Sequence, residues 1–103
     1  MNVLMIRSKF NEEHVADAQA AIEKVVQELG QTQLAGVRYA STRLSDGVTL
    51  VAFLEVENSE DPARDNPLLA LPSYADLLEN LKHWQAGPPA VEQMTVVGSY
   101  RLF

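Results

Sequence analysis

Histidine is the side chain that exchanges a proton near neutral pH, and this sequence holds two of them. His14 falls in the first turn of a helical pattern, at the edge of its apolar stripe, with Asp17 one turn on. That makes it the acid–base candidate beside a cavity mouth, or a surface residue near a helix start. His83 shares a helix face with Glu79 and Asn80 and reads as solvated. Neither histidine belongs to a cluster with metal-ligand spacing, so no metal is expected. Trp84 is the only tryptophan. It is either an apolar anchor or the wall of a pocket that stacks on a planar aromatic ligand, a wall that Tyr74 on the same helix would share. Tyr39 and Tyr100 lie on strands and either orient a ligand or brace the sheet. Arg7, Arg38, Arg43 and Arg101 also fall on strands, where they pair with Glu55 or Glu57 across the sheet or hold a phenolate or carboxylate.

Other chemistries lack their residues. With no cysteine in 103 residues, thiol catalysis, Fe–S clusters and Cys-based zinc sites are excluded. No G-x-G-x-x-G or Walker loop supplies a phosphate cradle, and no G-x-S-x-G elbow is present. The formal net charge of −6 repels phosphate backbones and anionic lipid heads, so neither nucleic acid nor a membrane surface is an expected partner. Met1–Phe10 does not read as a signal peptide, because Arg7 and Lys9 follow the apolar stretch. A cytoplasmic location is expected. The length fits a single domain, 1–103, able to build one core.

Two periodicities organise the chain. Residues 2–10 alternate, with Leu4, Ile6 and Phe10 on one parity and Val3 and Met5 on the other, as in a strand. Val15, Ala18, Ile22, Val25 and Leu29 then recur at three- and four-residue steps, predicting a helix over 12–29 capped by Asn11 and stopped by Gly30. Strands are predicted at 36–44 and 48–57, joined by Ser45-Asp46-Gly47 into an antiparallel hairpin. Residues 58–67 read as a solvated loop, or as a lid over a pocket. A helical turn at 67–71 and an interruption at Pro72 precede a helix over 73–85, with Ser73 and Asp76 as a capping-box variant. A fourth strand is predicted over 91–103.

The order strand–helix–strand–strand–helix–strand is that of the ferredoxin-like α+β fold, a four-stranded antiparallel sheet with both helices on one face. The open face should then be polar, yet strands 1, 3 and 4 carry large apolar residues on both parities. A second copy of the chain, packed sheet to sheet about a two-fold axis, would cover that face. The bland alternative is a monomer with scattered surface hydrophobics.

The pattern NVLMIRSKF, the long first helix, the hairpin GVRYASTRLSDGVTLVAFLEVE and the closing VVGSYRLF resemble the dimeric α+β barrel superfamily, and within it antibiotic-biosynthesis-monooxygenase-type domains. The resemblance is of element order and texture across nearly the whole chain and includes no catalytic motif. It implies a homodimer with one cavity per subunit between helices and sheet, which should reach about 300 Å³. It further implies an oxygenase that uses no bound metal or organic cofactor on a small aromatic or quinol-type substrate; the residues themselves then offer His14 as base and Trp84 and Tyr74 for stacking. The alternative is a non-catalytic dimeric binding or stress-related protein that sequesters a small apolar molecule. The Asn, Trp and His of the haem-degrading branch are not matched in placement by Asn2, Trp84 and His83.

Overall fold

The computed structural model describes residues 2–57, 59, 61, 62, 64 and 66–101. Strands β1 (Asn2–Lys9), β2 (Val37–Arg43), β3 (Thr49–Val56) and β4 (Ala90–Thr95) form one antiparallel sheet in the order β2-β3-β1-β4. Helices α1 (Val15–Thr32) and α2 (Pro72–Trp84) pack on each other. The expected ferredoxin-like fold is therefore present.

The strand parities divide cleanly. Leu4 pairs with Leu54 and Ile6 with Ala52, and these face the helices. Leu4, Val25, Leu54, Leu68, Leu71, Tyr74 and Leu77 form one buried cluster; Phe10, Val15, Ala18 and Leu50 form a second. The other parity builds the outer face. Met5 and Phe53 pair at its centre, flanked by Ala40 of β2 and Glu92 of β4. Val3, Val51, Phe53 and Met94 on this face are buried or half-buried. Its charges are graded along the strands. Glu55 and Arg38 lie towards the Val3 end, Glu92 at the centre beside Met5, and Arg7 and Lys9 towards the other end. Arg38 stands opposite Glu55, but the expected ion pair does not form: Glu55 Oε2 is buried with no hydrogen-bond partner. Arg43 instead donates from Nη1 to Gln19 Oε1 at 2.9 Å.

The β2–β3 hairpin turns as expected. Gly47 has φ +78°, a conformation that costs glycine nothing. Asp46 Oδ1 accepts from the backbone N–H groups of Val48 (3.0 Å) and Thr49 (2.9 Å), and Oδ2 accepts from the Thr49 hydroxyl. The Thr49 hydroxyl, then the two N–H groups, hold the Asp46 carboxyl below its ordinary value of 3.8. A depressed pKa stabilises the fold above the ordinary value, and that contribution is lost as pH falls through the folded one. Titration below pH 4, followed at the Thr49 amide by NMR, should therefore loosen this turn first. In Asp46→Asn, which cannot titrate there, the acid-dependent shift of the Thr49 amide should disappear.

Four boundaries differ from expectation. First, α1 runs past Gly30 to Thr32 and is preceded by a 3-10 turn at Glu12–His14. Its left-handed stop is Gln33, φ 49°, whose N–H reaches the Leu29 carbonyl at 2.9 Å. Asn11 caps through its backbone, with its carbonyl accepting from His14 N–H at 2.8 Å, and makes no side-chain cap bond. Second, Pro72 opens α2 instead of interrupting it, which suits a first-turn position that needs no N–H. Leu71 takes the cap place, and the Ser73 hydroxyl is buried without a partner. Third, the helical turn expected at 67–71 is present as a 3-10 turn, Pro67–Ala70, that stops one residue short; Asn66 caps it, its side chain accepting from Leu68 N–H at 3.0 Å. Fourth, β4 ends at Thr95, where its last pairing partner is Asn2. Residues 96–101 continue outside the sheet, with Val97 and Tyr100 exposed. The remainder of the expected fourth strand, 102–103, lies outside the described residues.

Candidate functional site

The far end of β1 is tied to the end of α2. Phe10 bridges Gln85, Asn11 N–H donates to the Trp84 carbonyl at 2.9 Å, and Ala86 N–H donates to the Lys9 carbonyl at 2.8 Å. This clamp holds α2 over the inner face of the sheet, and between them lies a cavity of about 230 Å³. It is smaller than the roughly 300 Å³ expected for a drug-sized ligand.

Its walls are mostly hydrocarbon. Ile6, Phe10, Leu50 and Ala52 rise from the sheet; Ile22, Leu77 and Leu81 descend from the helices. Leu78, Pro89 and Val91 line it as well and are themselves exposed, which places its opening between α2 and the free edge of β4. The polar groups are few and neutral: the hydroxyls of Ser8, Ser41, Tyr39 and Tyr74, and the amide of Gln85. Gln85 donates from Nε2 to Ser8 Oγ at 3.2 Å. Asn66 donates from Nδ2 to Tyr74 Oη at 3.3 Å, which leaves the Tyr74 proton free to donate.

Both tyrosines stay protonated. Burial, and secondarily the nearby Tyr74, pushes Tyr39 up to about 12. Burial also raises Tyr74, partly offset by the Asn66 hydrogen bond. Among the described lining residues none carries a charge at neutral pH. Such a wall offers hydrogen bonds to a neutral oxygen-bearing ligand and nothing to balance a buried charge.

Of the three site residues expected from sequence, Tyr74 lines this cavity, while Trp84 and His14 are not among its lining residues. Those two meet instead outside it. Their ring centroids lie 6.5 Å apart with planes inclined by 27°, and His14 Nδ1 contacts Asp17 Oδ2 at 3.2 Å. Trp84 packs as a half-buried side chain against both core clusters. Ser8, Ser41 and Gln85 were missed. Ser8 and Ser41 carry a signal in hindsight, since each interrupts an otherwise apolar inner parity. Gln85 carries none, because only the Phe10 bridge brings it to Ser8.

The 58–67 segment is not part of the cavity wall among the described residues. Its Pro62 is buried, and Asp61 accepts from Gln93 Nε2 at 3.0 Å, which ties the segment to β4. No group of three His, Cys, Asp or Glu among the described residues is arranged to hold a metal ion. No helix among them is long and apolar enough to cross a membrane.

No protein-family model matches this chain, and no curated protein matches its sequence. Solved structures do share its fold. An antibiotic biosynthesis monooxygenase superposes with a TM-score of 0.73 at 15% identity, over 95% of this chain and 100% of its own. A variant of SnoaB from Streptomyces nogalater, described as a cofactor-independent oxygenase, gives 0.67 at 16% identity, over 97% and 96%. The NE2512 protein of Nitrosomonas europaea, of unknown function, gives 0.73 at 15%, over 96% and 91%. The chain thus has the ferredoxin-like fold of the antibiotic biosynthesis monooxygenase structures. Likeness at this identity concerns the fold, not the chemistry done on it.

Proposed function

We propose that this chain is a cytoplasmic homodimer that binds a small neutral aromatic molecule, of the hydroxyarene or quinol class, in the cavity between α2 and the sheet, and oxygenates it without a bound cofactor. The observation that carries this reading is the cavity itself, an apolar enclosure whose polar groups are protonated hydroxyls and one amide. Its fold is shared with SnoaB, described as a cofactor-independent oxygenase. An apolar cavity of about 150 Å³ takes one benzene ring, so about 230 Å³ suits two fused rings. Tyr74 and Tyr39 would donate to the ligand oxygen and stabilise negative charge growing on it as its proton passes to solvent water at the cavity opening. The half-buried apolar outer face and the unpartnered Glu55 oxygen support the pairing of two chains.

Two measurements test this. The first is binding of 2-naphthol against 2-naphthoate, which carries a carboxylate in place of the neutral hydroxyl. Burying that unbalanced charge costs about 3 kcal/mol, so the naphthoate should bind roughly a hundredfold more weakly. The second is oxygen uptake with 1,4-dihydroxynaphthalene as sole reductant. Uptake above the protein-free rate that falls in Tyr74→Phe supports the oxygenase. Binding of 2-naphthol without uptake would instead favour a protein that sequesters such molecules. That second reading has its own support, because among the described lining residues none accepts a proton near neutral pH. Equal binding of the two naphthalenes would defeat both readings.

A further inference from the structure

Beyond β2 lies a second space, a groove of about 530 Å³ open to solvent. Val26, Leu29 and Leu34 line it, with Arg38. Tyr39 borders both this groove and the inner cavity, and among the described residues it is the one side chain common to the two.

The topology explains that position. β2 is an edge strand, so a side chain on its inner parity closes the flank of the layer between sheet and helices. Tyr39 has that parity, since it pairs with the inward Leu54. Its inner neighbours along the strand, Val37 and Ser41, are too short to close the flank themselves. Ser41 lies on the cavity side and Val37 on the groove side. Among the described residues the Tyr39 hydroxyl makes no hydrogen bond, so packing alone keeps the ring in place.

We propose that Tyr39 is a partition that determines ligand size: its ring divides the inner cavity from the groove outside β2 and limits the ligand to two fused rings. A shorter side chain would join the two spaces into one slot that accepts a third ring. This rests on the inner cavity being the ligand site.

The experiment titrates 2-naphthol and 2-anthrol, neutral hydroxyarenes that differ by one ring, into the wild-type protein, Tyr39→Val and Tyr39→Phe without oxygen. The wild type should prefer 2-naphthol by about tenfold, the cost of overpacking a full cavity. Tyr39→Val should tighten 2-anthrol by about tenfold and abolish or invert that preference. Tyr39→Phe, which keeps the ring but loses the hydroxyl, should weaken both probes alike and keep the wild-type preference for 2-naphthol. If Tyr39→Val does not give a cooperative thermal transition, Tyr39→Leu takes its place with the same expectation. A folded variant that binds 2-anthrol no better than the wild type would overturn the partition while the cavity stands. So would a wild type that binds both probes equally well. A wild type that binds neither removes the cavity as the ligand site, and the partition with it.

Discussion

Phe53→Glu is expected to leave a folded protein that no longer pairs with itself. Phe53 sits at the centre of the outer face, between Met5 and Ala40, on the side of the sheet away from the helices. Its removal therefore leaves the two helix-facing clusters untouched, and far-ultraviolet circular dichroism should not change. A carboxylate placed there must lose its water when two sheets meet. An uncompensated buried charge costs about 3 kcal/mol, and two-fold symmetry imposes it twice, roughly four orders of magnitude in the dimer constant. Light scattering at micromolar concentration should return twice 11.4 kDa for the wild type and the single-chain mass for the variant. A wild type that scatters as one chain would remove the homodimer from the reading.

The next residue along the strand should behave in the opposite way. Leu54 is 1% exposed and lies inward between Leu4 and Tyr39, in a cluster with Val25 and Leu68. Leu54→Ala removes that packing and leaves a void, at a cost of about 3 kcal/mol. For a chain of this size that lowers the melting temperature by on the order of 15 °C. Val26→Ala, on the exposed side of α1 with 49% of its surface accessible, should cost less than about 0.5 kcal/mol. A melting temperature that moved equally in both would contradict the assignment of inner and outer parity. Concentration must be held fixed throughout, because pairing adds to apparent stability.

These contrasting effects at adjacent positions show how much of the fold is legible in the sequence. A period of two marks β1 and β3 directly, and Asp46-Gly47 marks their partner hairpin. The parity that faces the helices is not legible, because Leu4/Ile6 and Val3/Met5 are equally apolar. It is decided by the helices, which only the assembled layer brings in. Helix ends fail for a related reason, since several valid local signals compete. Gly30 is a good stop, but the helix runs on to Thr32 and Gln33 takes the left-handed turn instead. Ser73 with Asp76 is a good cap, but Pro72 opens the helix one residue earlier. The fourth strand is shorter than the alternation of Val96 to Tyr100 suggests: its described pairing with β1 ends at Asn2 and Thr95, and residues 96–101 continue outside the sheet. At the site, tyrosine as a cavity-lining residue is legible in Tyr74. His14 and Trp84 were drawn to each other by the helix ends that carry them, which no spacing along the chain reveals.

The uneven charge along the outer face bears on how two such surfaces can meet. Laid head to head, Arg7 and Lys9 of one copy would lie at the same level as their own counterparts. Turned end for end, Arg7 and Lys9 of each copy move away from their counterparts and lie towards the end of the other that holds Glu55, and every such contact is made in duplicate. A pattern of this kind discriminates between orientations before any apolar contact forms, and salt would blur that discrimination without weakening the grip of Met5 and Phe53.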